Sequence, residues 1–265
     1  MAWIHELPTE IVAAIIVLLF SVVAIAGLAV SRQWSRRRGL HALVDNGVIG
    51  WIFSAIVGIY AIAIGLIAVA SWSNSSEAAT AASREAAEVA AFFRDVQGYP
   101  ESIQDQLKLG VVRYLESVIE QDWPAQSRGE MPHHSTEALD DIAGLLYAFA
   151  PATISQQIVH ADALRSFDSV INYRRIRLEA VNYAVPGPLW GVVLVGAAIS
   201  IFASWIFNME SFSVHATMTG LLAAMIGLVV FFIAITDHPY RGRSQVTPVS
   251  FELMLQDLVE QPWRR

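Results

Sequence analysis

The chain has 265 residues, 55% of them hydrophobic and only 15% charged, with a net charge of −7 and a mean hydropathy of +0.47. An ordinary soluble domain carries about 25% charged residues, and a chain this short cannot hide the difference in one large core, so the composition calls for a membrane. The acidic balance excludes the basic footprint of a nucleic-acid binder, and the lack of cysteine excludes disulfides, zinc thiolate sites and cysteine nucleophiles.

The first element is an apolar run, Ile11–Val30, near the roughly 20 residues a helix needs to cross about 30 Å of hydrocarbon. Its arginines (Arg32, Arg36, Arg37, Arg38) follow the run instead of preceding it, which reads as an uncleaved anchor and not a secretory signal. The second run is Val48–Ala70. Residues 73–183 then read as an all-helical insert. Ser76–Val96 is rich in alanine and glutamate, and Gly98-Tyr99-Pro100 breaks it. Ile103, Leu107, Val111, Leu115, Val118 and Trp123 follow at amphipathic spacing, and Pro124–Ser135 reads as a loop. Leu139, Ile142, Leu146 and Phe149 mark a third insert helix. Ile154, Ile158, Ala161, Leu164, Phe167 and Ile171 mark the inward face of a fourth. The first and last of these are expected to run into the adjoining spans without a break.

Leu189–Phe207 is the third span, opened by Pro186 and Pro188, and Met218–Ile235 the fourth, stopped by Pro239. None of the four runs holds a charged residue or a histidine, and none alternates with period two, so helices and not a barrel cross the membrane. Trp3, Trp34, Trp72 and Trp190 sit at or near span ends, where an indole prefers the interface. The expected fold is all-α and polytopic. It has a first helix pair (1–71), a helical extramembrane insert (72–186), a second pair (187–237) and a tail (238–265).

Four spans put both termini and the insert on one side. The loop Ser31–Asn46 carries four arginines and the ten residues before the first span carry none. The positive-inside rule then places the loop in the cytoplasm and the termini outside, although Arg174, Arg175, Arg177, Arg241 and Arg243 pull the other way. The net negative charge lies in the insert, where residues 72–186 hold sixteen Asp and Glu against nine Lys and Arg.

No phosphate-binding loop, dinucleotide fingerprint, zincin helix or nucleophile elbow is present. His133-His134 has no carboxylate at ligand spacing, and Glu77, Glu85, Glu88 and Asp140-Asp141 read as solvated helix faces. The chain therefore reads as no enzyme, with no cofactor and no metal. Spans without an ionisable residue also argue against a proton-coupled carrier.

Two features stand out. On the second span Gly47, Gly50, Ser54, Gly58, Ala61, Gly65 and Ala68 form a stripe of small residues at steps of three and four. Such a stripe packs helices closely. It also serves as a pore wall if several copies meet, lined by Gly50, Ser54 and Ala61 with Val57, Tyr60 and Ile64 as a hydrophobic neck. The second feature is Asp237-His238-Pro239-Tyr240-Arg241-Gly242, running on to Val246, Pro248 and Phe251. Aspartate at a helix C-terminus opposes the macrodipole and needs a local reason. It is either a helix stop, bonded to nearby N–H groups or an arginine, or part of a charged pore mouth.

This ending resembles the D-R-P-F-x-G…V-x-P-x-x-F pattern of the bestrophin-like family. Asn46, Gly50 and Tyr60, Trp72, Asp122-Trp123-Pro124 and Pro186-x-Pro188-Leu189-Trp190 are similar to it as well. His238 and Tyr240 depart from the family's usual Arg and Phe. The resemblance implies a homo-oligomeric, pentameric anion channel with a neck on its second helix and with termini and insert in the cytoplasm, against the arginine-based orientation. The implied partners are the lipid bilayer, further copies of the chain and small inorganic ions, with no nucleic acid. The implied location is a cell membrane, the inner membrane of a bacterium. The second reading is a non-conducting scaffold or sensor whose insert binds a partner.

Overall fold

The computed structural model describes residues 8–38, 45–242 and 245–260. Trp3, Arg243 and part of the Ser31–Asn46 loop lie outside them. The described residues form helices and turns and no strand. α1 (Thr9–Arg37) and α2 (Asn46–Asp95) come first. A 3-10 turn, Val96–Gly98, leads to α3 (Glu101–Ser117), a π-helical turn (Val118–Asp122) and α4 (Trp123–Arg128). Then come α5 (Ser135–Ala148), α6 (Ile154–Glu179), α7 (Gly187–Trp205), α8 (Phe212–Thr236) and α9 (Val249–Glu260). Four of these, α1, α2, α7 and α8, are long and apolar enough to cross a membrane. The 50 residues of α2 make about 75 Å of helix, far more than a bilayer needs.

Several expectations change. The loop expected at Pro124 begins only at Gly129. Pro124 lies in a helix that runs without interruption from α3 through the π-helical turn into α4, and that turn widens the helix past the proline ring. Gly129 ends α4 at φ 79°, the left-handed conformation that favours glycine. α6 does not run into the third span: a 3-10 turn (Ala180–Asn182) and an extended Tyr183 intervene before Pro186. The residue before a proline is pushed out of the helical region, so Pro186 and Pro188 enforce a fresh start. The tail contains α9, whose Phe251, Met254 and Leu258 are buried. On α6 the buried face is Ala163, Phe167 and Val170, whereas Ile154, Ile158 and Ile171 are exposed.

The chain divides into two compact units. One comprises residues up to Ser73 with Ala184–Asp237, the other Asn74–Tyr183 with the residues from His238 on. In the first, α1 packs along α8 and α2 packs against α7. Lipid provides no hydrophobic drive between helices, so close approach and hydrogen bonds carry the contacts. Gly27 lets the Trp205 ring lie against α1, where a Cβ would come within 2.2 Å of it, and Trp205 Nε1 donates to the Ala24 carbonyl at 3.0 Å. Gly196 accommodates the Tyr60 ring in the same way, and the Tyr60 hydroxyl donates to the Val193 carbonyl at 2.9 Å. Ser71 and Thr236 share a hydrogen bond at 2.8 Å. Asn46 donates to the Asn208 carbonyl and accepts from the Asn208 N–H, at 2.6 and 2.9 Å.

The second unit has a water-type core of Leu107, Val111, Leu115, Ile142, Leu146, Phe167 and Phe251. Here α3 lies close to α5, because Gly110 leaves room for the Ile142 side chain.

Gly196→Val places a branched side chain where Tyr60 now sits. We expect it to destabilise the detergent-purified protein by about 1–3 kcal/mol, the usual cost of overpacking. The measurement is its thermal unfolding midpoint against the wild type.

Candidate functional site

The α2 helix has two distinct apolar faces. Tyr60 (8% exposed) and Ile64 (6%) are buried, continuing through Ile67 and Ser71, and pack inside the first unit with α7 residues such as Val193 and Ala197. Val57 is half-buried beside them. Tyr60 and Ile64, expected as part of a neck, are packed inside the first unit and do not belong to the open face of α2. Of the other expected lining residues, Gly50 is half-buried, and a Cβ on it would meet nothing. Ser54 and Ala61 are exposed, and the Ser54 hydroxyl donates back to the Gly50 carbonyl at 2.8 Å. Gly58 and Gly65 likewise face open space. Trp51 (83% exposed), Ile62 and Leu66 flank them. The open face is therefore small and uncharged at its centre, with bulky apolar neighbours.

The span-end motif separates into a helix junction and a fold-back. Asp237 Oδ1 accepts from the Val185 N–H at 2.5 Å, and Oδ2 accepts from Trp190 Nε1 at 3.3 Å. The carboxylate, unfavourable at the C-terminus of α8, thus lies at the positive N-terminal end of α7, where donors lack intrahelical partners. Beyond it the chain reverses. The His238 carbonyl accepts from the Arg241 N–H at 3.2 Å and the Pro239 carbonyl from the Val246 N–H at 2.8 Å. Gly242 takes φ 86°, which a side chain would strain. The Pro248 carbonyl accepts from the Phe251 and Glu252 N–H groups and starts α9, whose Phe251 is fully buried.

The fold-back closes over a charged cluster that the sequence pattern did not disclose. Arg177 of α6 and Glu85 of α2 are both fully buried and bidentate, with Nε–Oε2 at 2.7 Å and Nη2–Oε1 at 3.1 Å. Arg177 Nη1 donates to Gln126 Oε1 at 2.6 Å, and Asp122 lies 3.8 Å from Nη2. The Tyr114 hydroxyl donates to Glu85. Ser135 Oγ donates to Asp122 at 2.5 Å and accepts from Arg174 at 3.0 Å. The rings of Trp123 and Phe251 stand 5.6 and 5.7 Å from the guanidinium carbon. Tyr240 donates to the Arg177 carbonyl at 3.2 Å, and Trp123 Nε1 donates to the Val246 carbonyl at 3.1 Å.

Burial works to lower the Arg177 pKa, but Glu85, together with Tyr114 and Tyr240, more than reverses this, and the guanidinium is held above its ordinary range. Burial, reinforced by Glu85, pushes the Tyr114 hydroxyl well up, so it stays a donor. The cluster is closed to solvent and supplies the structural reason for Tyr240, Val246 and Phe251 of the motif. His134 Nδ1 lies 3.8 Å from Asp122 Oδ1. Among the described residues no three His, Cys, Asp or Glu side chains converge in a way that could hold a metal.

The family model for the Bestrophin-like domain matches residues 18–251. Two solved structures share the fold. A bacterial bestrophin homologue from Klebsiella pneumoniae, carrying a point mutation, is 14% identical with a TM-score of 0.68, over 96% of this chain and all of that one. A mutant of a membrane protein is 14% identical with a TM-score of 0.67, over the same shares. No functionally curated protein matches the chain.

Arg177→Met removes one partner and leaves Glu85 buried and unpaired. The expected loss is about 3–5 kcal/mol, measured by denaturant unfolding in detergent. Tyr240→Phe removes only one of two donors to the Arg177 carbonyl, the other being Gln126, and should cost about 0.5–1.5 kcal/mol.

Proposed function

The chain belongs to the bestrophin-like family and is a multi-pass membrane protein, and from that premise we propose that it forms a homo-oligomeric ion channel. The pathway lies on the symmetry axis, because four membrane helices are too few to enclose a roomy pore within one chain. The open face of α2 lines it. The observation that supports this most directly is the glycine series: at Gly50, Gly58 and Gly65 an added Cβ would meet nothing in the chain itself. Those positions therefore face lipid, another copy or an axial space. Lipid is the least apt of the three, since exposed glycine backbone in hydrocarbon gains nothing from packing.

Selectivity in such a pathway comes from hydrophobic constriction and from charge at its mouths. We take the lining as Gly50, Ser54, Gly58 and Ala61, with Trp51, Ile62 and Leu66 as the bulky groups that narrow it. Anion selectivity, a pentamer and an insert on the cytoplasmic side of a bacterial inner membrane follow from the family resemblance. The acidic balance of residues 72–186 is compatible with anions if its exposed carboxylates face away from the path. A second reading keeps some support. Tyr147, Ile154 and Ile158 are large apolar residues exposed on the second unit, as on a scaffold or sensor that binds a protein partner.

The test is current across a planar bilayer with a KCl gradient, where the sign of the reversal potential separates anion from cation conduction. Gly58→Trp should reduce single-channel conductance severalfold, while Tyr60→Phe, inside the chain, should leave it unchanged. The natural chain has no cysteine, so Ser54→Cys gives a single site for a charged thiol reagent, which should alter the current. A silent bilayer with oligomer shown to be inserted would move the assignment to the scaffold. Unaltered current after Gly58→Trp and after Ser54 labelling would remove α2 from the pathway.

A further inference from the structure

A cavity of about 640 Å³ opens in the first unit where α1 ends, α7 ends and α8 begins. Its walls are mainly apolar, formed by Gly27, Trp34, Phe202 and Trp205 among others, and two basic side chains line it, Arg32 and His215. Arg32 is incompletely used by the protein. Arg32 Nη2 donates to the Met209 and Glu210 carbonyls at 2.8 and 2.6 Å, but Nη1 has no acceptor. His215 is 4% exposed, and its Nε2 donates to the Ser204 carbonyl at 2.9 Å. The carbonyl accepts only, so Nε2 carries a proton and is committed to it.

The position in the chain narrows the chemistry. Arg32 stands two residues beyond the apolar run Ile11–Val30, at the level where hydrocarbon gives way to headgroups. Exposed Arg36, Arg37 and Arg38 follow on the same helix end, and the Arg38 guanidinium carbon lies 4.5 Å from the Trp34 ring centre. A soluble anion would have little use for the long apolar wall, and a neutral lipid would leave the guanidinium unanswered. An arginine-rich helix end beside an apolar cavity fits a ligand that is anionic at one end and hydrocarbon at the other.

We propose that this cavity is a binding site for one anionic phospholipid, with an acyl chain along Phe202 and Trp205 and the phosphate at Arg32. A slight turn of the guanidinium brings Nη1 onto a phosphate oxygen and supplies its missing acceptor. Arg36–Arg38 raise the local concentration of anionic lipid without being part of the cavity. This site does not depend on whether the protein conducts.

The test uses the full chain purified in a non-ionic detergent and native mass spectrometry. The probes are phosphatidylglycerol, phosphatidylcholine with the same acyl chains, and inorganic phosphate. We expect one phosphatidylglycerol retained per chain, about tenfold more strongly than phosphatidylcholine, and no retained phosphate. Ser31→Phe, which fills the cavity from α1 without touching the Arg32 hydrogen bonds, should weaken retention about tenfold. Arg32→Gln should do the same if it still folds. Combined Arg36→Gln, Arg37→Gln and Arg38→Gln should weaken it less. Equal retention of the two lipids would show an unselective apolar groove. Phosphatidylglycerol retained by Ser31→Phe as by the wild type would show binding to surface charge alone, and retained phosphate would show a free-anion site. Each of these three results overturns the proposal.

Discussion

A hydrocarbon interior gives a peptide group nothing to bond to, and the first unit is built around that constraint. Every backbone donor within the bilayer must find its partner in its own helix, which accounts for α1, α2, α7 and α8 as long unbroken helices. The same constraint governs how they meet. Apolar side chains gain nothing by leaving lipid for one another, so contact depends on closeness and on buried hydrogen bonds. Gly27 under Trp205 and Gly196 under Tyr60 are the two tightest approaches, and in each the ring that fills the gap also donates to a backbone carbonyl across the interface. Asp237 extends the principle to the helix ends. Its carboxylate satisfies donors at the start of α7 and lies against the positive end of that helix dipole, offsetting its poor position at the end of α8.

The second unit is held by different means. Its core is ordinary apolar burial, and the charged cluster at Arg177 is not an obvious gain in stability, since desolvating Arg177 and Glu85 offsets much of their attraction. What the cluster provides is a single arrangement. Five separate stretches must meet at once: Glu85 on α2, Tyr114 on α3, Asp122 to Gln126, Arg177 on α6 and the fold-back from Tyr240 to Phe251. A misplaced stretch leaves a buried charge unpaired. The motif that carries the family resemblance is therefore explained residue by residue as junction and clasp: Asp237 joins two membrane helices, Gly242 allows the reversal, and Tyr240, Val246 and Phe251 close over Arg177 and Trp123. Tyr240, where the family usually has Phe, adds a hydroxyl that reaches the Arg177 carbonyl.

The four membrane helices were legible in the sequence because their signal is an integral over some twenty residues and needs no partner. What depended on a partner was not. Tyr60 and Ile64 looked like candidates for a neck because they border the small-residue stripe. Which border faces inward is decided by Gly196 on α7, in a distant part of the chain. Arg177 read as one more arginine beside a span, and Glu85 as one more carboxylate on an exposed helix, since periodicity says nothing of a pair 92 positions apart. On α6 the apolar residues Ile154, Ile158 and Ala161 lie at helical spacing, but the next steps along that line are Arg165 and Asp168, and the core took the neighbouring line through Ala163, Phe167 and Val170. Pro124 was read as a break because a π-helical turn cannot be foreseen from composition.

The distinction that matters for function is between groups the chain satisfies itself and groups it leaves open. Asp237, Arg177, Glu85, Tyr60 and Tyr240 all have partners within their own unit, so their chemistry is already committed and an ion or ligand would have to displace it. Among the described residues two open places stand out: the α2 face from Gly50 to Gly65, where an added Cβ on Gly50, Gly58 or Gly65 would meet nothing, and Arg32 at the end of α1. One is uncharged and suits passage, because an ion bound tightly does not move on. The other is basic and half enclosed by apolar walls, and suits retention. The two surfaces lie on different helices, one on α2 and one at the end of α1.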